Sequence, residues 1–328
     1  MIRYGIVGFG LHAVKRVMPG FHRASRCRVV ALSRRDLGQA QASARQFRIE
    51  HAFASTADLC GCPDVDVVYV CSPDALHCAD VLTAVQYRKP VLCEKPMAMN
   101  ADQARTMVKA ARDAGVTLGV AQVMRFEESV RLIRERIVEG AIGRPLVASA
   151  SFFVPMLTSA RTWAANPKLA AGGPMSDIGV HCMDALRFVL SDEVRMVSAR
   201  AHYDSHSALE ASAAVLLEFS GGTLGTVSVS ARSPYQTHLE VAGENGRLSA
   251  QYALTMERPV TVELRRGFEL VESREVSNAD VYAVQVDAFA AAIEAGREFE
   301  ISGEEGLKNQ LILDAAFRSV KSGRTDFV

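Results

Sequence analysis

The sequence has 328 residues, 49% hydrophobic and 23% charged, the profile of a globular chain long enough for two domains. Lysine plus arginine balances aspartate plus glutamate at 37 each, which removes the electrostatic case for a nucleic acid or an anionic membrane as partner. No apolar run approaches the ~18 residues of a membrane span; the opening "MIRYGIVGFG" enters a strand without a basic leader, so a cytoplasmic location is expected.

Residues 1–121 alternate short apolar runs with helical patterns. "YGIVGF", "RVVALS", "VDVVYVCS", "KPVLCEK" and "VTLGVAQV" have the length of buried strands. Between them, "HAVKRVMPGFHRA", "DLGQAQASARQF", "ALHCADVLTAVQY" and "NADQARTMVKAARDAG" carry apolar residues at helical spacing, the last closed by Gly115. This repetition predicts a doubly wound parallel sheet, an α/β Rossmann domain. Residues 122–328 read differently. "MRFEESVRLIRERIVEGAIGRP" is expected to form one amphipathic helix stopped by Gly140, followed by a strand "PLVASASFFV" and a helix "SDIGVHCMDALRFVL". From Val194 to about Glu275, strand-like runs are separated by Gly- and Asn-bearing turns. The expected second domain is α+β, with a large, mostly antiparallel open sheet for substrate binding and oligomerisation. Two closing helices follow, the last placed to pack back on the first domain. The seven cysteines have no framework spacing, and Cys60-Gly61-Cys62 lacks a second ligand pair, so no metal is expected.

Two stretches carry chemistry in the first domain. Gly8-Phe9-Gly10-Leu11-His12-Ala13 has the form G-x-G-x-x-A between the first strand and the first helix. Gly8 permits the tight turn, Gly10 lets a pyrophosphate approach the backbone, and Ala13 allows close helix packing, so a dinucleotide is expected. An acid at the end of the second strand would hold a ribose 2′-hydroxyl; here Ser33 and Arg34 stand there, followed by Arg35 and Asp36. A hydroxyl and a guanidinium suit a 2′-phosphate, which favours NADP over NAD. Ser72 and Pro73 end the fourth strand beside the crevice, and His77 lies near the start of the next helix, where it either caps locally or faces the cofactor. Glu94-Lys95-Pro96 ends the fifth strand at the same edge. Pro96 ends the ladder, and Lys95 is placed to donate to a substrate oxygen and stabilise negative charge on it.

In the second domain, Asp177 and His181 are four apart in "GGPMSDIGVHCMD", on one helical face that Asp184 continues. Histidine is a natural acid/base near neutral pH. Trp163, Phe152 and Phe153 would suit an apolar pocket or simple core packing.

Taken together, "GIVGFGLHA", "CSPDALH", "CEKPMAMN", "GGPMSDIGVHCMD" and the closing "GEEGLKNQLILDAAFRSVKSG" resemble the glucose-fructose oxidoreductase / inositol dehydrogenase / rhizopine-catabolism (Gfo/Idh/MocA) family over nearly the whole chain. The resemblance implies a Rossmann domain, an α/β domain with an open sheet, and a substrate cleft. It places Lys95, Asp177 and His181 at the family's catalytic positions and Arg125 near cofactor or substrate. It also implies hydride transfer to or from a sugar-like or cyclitol-like polyol, and a homodimer or homotetramer paired through its sheets. NAD-using members often keep an acid where Ser33-Arg34 stand. The glucose-fructose enzyme begins with an export signal and arm that this sequence does not show. The alternatives are a dihydrodiol dehydrogenase-like or bile-pigment reductase-like enzyme on a more apolar substrate, and a dinucleotide-sensing regulator without turnover.

Overall fold

In the computed structural model, which describes residues 1–156, 161–205 and 207–328, the apolar runs of the first region become strands. They are β1 (Ile2–Val7), β2 (Cys27–Ser33), β3 (His51–Phe53), β4 (Val67–Val70), β5 (Val91–Cys93) and β6 (Leu118–Val120). All pair in parallel, in the order β3-β2-β1-β4-β5-β6. Every residue of β4 is buried, as expected of a strand covered on both faces. The order reverses between β1 and β4, and ligands of such sheets bind at the carboxyl ends beside that point.

The chain divides into two compact units, the first comprising residues 1–122, 168–171 and 282–310 and the second the remainder. The first is packed around Tyr4, Ile6, Phe9, Leu32, Leu59 and Tyr69, each fully buried and each contributing roughly 1.5–3 kcal/mol. Its helices start where side-chain oxygens meet free amides: Asp36 accepts from the Gln39 amide, and Asn100 from the Gln103 amide. The first helix contains a π-helical turn, Ala13–Val17, before α1 (Met18–Arg23). Pro19 has no amide to donate, so the regular ladder is interrupted there. The three-residue β3 was not legible as a strand.

The second unit is built on a nine-stranded sheet. Its strands are β7 (Pro145–Phe153), β8 (Val194–Tyr203), β9 (Glu210–Phe219), β10 (Leu224–Ser230), β11 (Gln236–Gly243), β12 (Arg247–Gln251), β13 (Val260–Arg266), β14 (Glu269–Val276) and β15 (Asp326–Phe327). The order is β14-β13-β12-β11-β7-β10-β9-β8-β15. Pairing is antiparallel except between β7 and β10, so the sheet is mixed but mostly antiparallel. Ala148, Ala150, Val215, Leu217, Val227, Leu239 and Val241 point to a buried face. Ser149, Ser151, Ala214, Leu216, Thr226 and Ser228 alternate with them and are half-buried or exposed, the period of a sheet with one face in the core.

Two expected helices are subdivided. Residues 123–126 form a separate 3₁₀ turn ahead of α2 (Glu128–Val138), which therefore begins after Arg125 rather than at Met124. Asp177 lies in a π-helical turn, Met175–Gly179, and His181 in the first turn of α3 (Val180–Leu190). The expected common face is offset by the wider turn between them.

Candidate active site

The glycine-rich turn is shaped by a close approach of two strand ends. Gly8 has φ +73°, and a Cβ there would lie 2.5 Å from Ser72 Cα. Glycine is required on both counts. Gly10 differs: a Cβ there would meet only the Gly8 carbonyl oxygen, at 3.8 Å. The fold itself leaves that space open, which fits the approach of a dinucleotide pyrophosphate to the backbone. Phe9 and Ala13 are fully buried and fix the turn between sheet and helix, leaving Leu11 and His12 partly exposed.

Ser33 ends β2, and its carbonyl accepts from the Phe9 amide at 3.0 Å. Arg34 follows, half-exposed, with its guanidinium held by the Ser43 hydroxyl at 3.0 Å and the Gln39 side-chain oxygen at 2.8 Å. Asp36 is engaged as the cap of the next helix, accepting from the Gln39 amide at 2.7 Å. Of the charged residues in this turn, the basic Arg34 therefore lies directly after the strand end, and the acid is occupied with the backbone.

Ser72 is buried, and its hydroxyl donates to Asp80 at 2.6 Å. Pro73 precedes the helix Asp74–Gln86. His77 is 1% exposed. Its Nε2 faces the Ser72 carbonyl at 2.8 Å and its Nδ1 the Pro96 carbonyl at 2.9 Å. Both ring nitrogens face backbone carbonyls, the protonated one donating, and the imidazole lies between the turn after β4 and the segment after Lys95.

Glu94 and Lys95 follow β5 directly, at the same ends of the parallel strands as Gly8, Ser33 and Ser72. The Lys95–Pro96 peptide is cis. Glu94 is buried and accepts from the Tyr69 hydroxyl at 2.9 Å, with His12 Nε2 at 2.8 Å from the same oxygen. The Gln285 amide in turn donates to the Tyr69 hydroxyl at 3.2 Å. Burial pushes the Glu94 carboxyl up; His12, the Lys95 ammonium and the Tyr69 hydroxyl outweigh it and hold the group at about 2. A buried carboxylate thus sits between the glycine-rich turn and the lysine.

In the second unit the charged residues form their own network. Arg125 is buried and clasps Asp184 through Nε and Nη2, with distances from 2.6 to 3.0 Å. Arg187 Nη1 lies 3.8 Å from the same carboxylate. Asp177 is paired with Arg161. His181 is buried, with the Phe152 ring centroid 6.4 Å from that of the imidazole. The preceding Gly173 has no room for a side chain, because a Cβ would lie 2.2 Å from the Glu210 carbonyl oxygen. The Glu210 carboxyl accepts from the Met175 amide at 2.9 Å and so caps the turn carrying Asp177. Trp163 lies half-buried in a 3₁₀ turn, under the Arg161 guanidinium.

Tyr69, Arg161, Glu210 and Glu127 escaped the sequence reading. Glu127 is fully buried, and neither carboxyl oxygen has a hydrogen-bond partner among the described residues. Burial raises its pKa well above the ordinary carboxylate value, because the charged form loses its hydration there. The signal was faint: "RFEES" is polar, and nothing in its spacing marks one glutamate as interior.

Comparison with known proteins identifies the family of the chain. Residues 2–122 match the oxidoreductase family described as having an NAD-binding Rossmann fold, and residues 130–249 match the GFO/IDH/MocA C-terminal domain. The chain is 34% identical to the 1,5-anhydro-D-fructose reductase of Ensifer adhaerens over 94% of its length and 92% of that protein. It is 33% identical to the trans-1,2-dihydrobenzene-1,2-diol dehydrogenase of Mus musculus over 76% of its length and 74% of that protein. Among solved structures, the aldose-aldose oxidoreductase of Caulobacter crescentus, complexed with glycerol, superposes with a TM-score of 0.92 at 25% identity, covering 100% of this chain and 99% of that one.

Proposed function

We propose, for a chain that belongs to the GFO/IDH/MocA family of NAD(P)-dependent oxidoreductases, reversible hydride transfer at a carbinol or carbonyl carbon of a sugar-like or cyclitol-like substrate. The carrying observation is the cluster at the carboxyl ends of the first sheet: an open glycine turn, Arg34 past the second strand, and Lys95 past the fifth. A bound nicotinamide dinucleotide supplies the hydride acceptor in oxidation and the donor in reduction.

The chain's own groups have separate tasks in this proposal. The backbone at Gly8 and Gly10 receives the pyrophosphate. Arg34 pairs with a 2′-phosphate, which favours NADP. In oxidation His181 removes the hydroxyl proton, and in reduction it returns that proton. Lys95 donates to the same oxygen and stabilises charge on it. Asp177 binds a neighbouring hydroxyl or orients His181, Arg125 supports the site through Asp184, and Ser72, Pro73, His77 and Glu94 shape the turns beside the cofactor.

The test is direct: NADPH and NADH are titrated in parallel, and the preferred cofactor is then used in an absorbance screen of aldoses, ketoses, anhydro sugars and cyclitols. Absorbance change confined to such polyols supports the reading. A second reading, an apolar diol substrate, is favoured by Phe152 beside His181 and by the diol dehydrogenase relative. Turnover of aromatic dihydrodiols with none of polyols would favour it over the first. The half-buried or exposed row of Ser149, Ser151, Ala214, Leu216, Thr226 and Ser228 supports a homo-oligomer paired through this sheet face. A monomer by light scattering would reject that part.

A further inference from the structure

We infer that the first unit carries a binding site for a zinc-class divalent cation, formed by His51, Cys62 and Asp64 and separate from the proposed chemistry. One ligand atom from each of the three lies within 4.8 Å of the others. His51 opens β3, Cys62 follows the helix Thr56–Gly61, and Asp64 lies in the turn before β4. The cofactor candidates occupy the opposite ends of the strands.

The donor set has the right chemistry. A thiolate, an imidazole and a carboxylate are the ligands Zn²⁺ takes, and three protein ligands plus a water complete a tetrahedron. His51 Nε2 and Asp64 Oδ2 are already 2.9 Å apart. Bond lengths near 2.0–2.1 Å require a ligand-to-ligand separation of about 3.3 Å, so the pair need open only by a few tenths of an ångström. Charge also balances. The Cys62 thiolate and the Asp64 carboxylate together neutralise a dication. Arg3 donates to Asp64 Oδ1 at 2.8 Å, leaving Oδ2 toward His51. Its guanidinium is also held by both oxygens of Asp66, at 3.0 and 2.8 Å, so the positive charge is compensated without Asp64. Cys60, which the Cys-x-Cys spacing would pair with Cys62, is fully buried in the helix and is not among the three. A surface ion pair explains Arg3, His51 and Asp64; Cys62, 7% exposed, adds a thiol within 4.8 Å of the His51 and Asp64 ligand atoms. The ion would clamp the start of the edge strand β3 to the turn before β4.

The test uses the untagged, chelator-treated full chain titrated with Co²⁺, then with Zn²⁺. One equivalent of Co²⁺ is expected to bind with tetrahedral visible bands and a near-ultraviolet thiolate charge-transfer band, and Zn²⁺ should displace it. Cys62→Ser should lose the thiolate band. His51→Gln and Asp64→Asn alter partly exposed side chains, and each should weaken Co²⁺ binding by about tenfold or more. Zn²⁺ should raise the unfolding temperature of the parent chain and not that of Asp64→Asn. Absence of a thiolate band in the parent chain, or a band that survives Cys62→Ser, would overturn the proposal. So would Co²⁺ binding unaffected by both His51→Gln and Asp64→Asn, which keep the inference testable if Cys62→Ser does not fold. Dinucleotide binding is unaffected in all three variants if the site is separate.

Discussion

His12 Nε2 lies 2.8 Å from Glu94 Oε1, joining the glycine-rich turn to the residue before Lys95. The carboxylate is buried, and its depressed pKa rests on this contact together with Lys95 and Tyr69. A carboxylate whose folded pKa is depressed contributes stability that is present above the unfolded value and lost as pH falls through the folded one. From 4.5 unfolded to about 2 folded, that contribution is on the order of 3 kcal/mol. His12→Ala is therefore expected to lower stability at pH 7 by roughly 2 kcal/mol and to move acid unfolding to higher pH. Urea denaturation between pH 7 and pH 2 measures both. Unchanged acid unfolding would show that the contact does not hold the carboxylate.

Gly8→Ala introduces a Cβ 2.5 Å from Ser72 Cα at a residue with φ +73°. Both backbone segments must shift, and the turn that would receive the pyrophosphate moves with them. Dinucleotide affinity should fall by about tenfold or more, read by quenching of protein fluorescence. Ala at Gly10 meets no such protein obstacle. Its loss of binding should occur without a comparable loss of stability.

Arg34→Ala should separate the two cofactors. A charge-assisted contact to a 2′-phosphate is worth about 1.5–3 kcal/mol. NADPH affinity is expected to fall by roughly 10- to 100-fold while NADH affinity changes little. Equal losses for both would assign Arg34 to the turn's structure alone, through Ser43 and Gln39.

Glu127→Gln tests the buried carboxyl whose pKa is raised by desolvation. A group whose folded pKa is raised contributes stability that is fully present below its unfolded pKa and is lost as pH rises through the folded one. Folding of the parent chain should therefore weaken above the ordinary carboxylate range. The amide, which does not ionise, should remove that slope and leave stability at pH 7 equal or higher. Denaturation midpoints from pH 5 to pH 9 provide the comparison.

Much of the first unit was legible because its strands are short, apolar and buried on both faces: "VVYV" has no exposed residue to confuse the reading. β3 escaped because three half-buried residues make no pattern. β14 escaped for the opposite reason, since its mostly exposed "ELVESREV" carries charges that resemble a loop. The parallel pairing of β7 with β10 joins segments distant in sequence, and no local periodicity encodes it. The same limit applies to the site. Motifs and strand ends put forward Gly8, Lys95, Asp177 and His181 as candidates, but partners such as Tyr69 for Glu94, Arg161 for Asp177 and Glu210 for the Met175 amide are fixed only by folding. The role of Asp36 as a helix cap, accepting from the Gln39 amide, is likewise visible only in the folded chain.

The most direct measurement compares nicotinamide absorbance and dinucleotide binding in the parent chain, Lys95→Ala and His181→Ala, with a polyol substrate from the screen. If these two groups perform proton transfer and charge stabilisation, each variant binds NADPH with near-parental affinity and loses turnover by about 100-fold or more. Turnover within a few-fold of the parent chain in both variants would contradict the account.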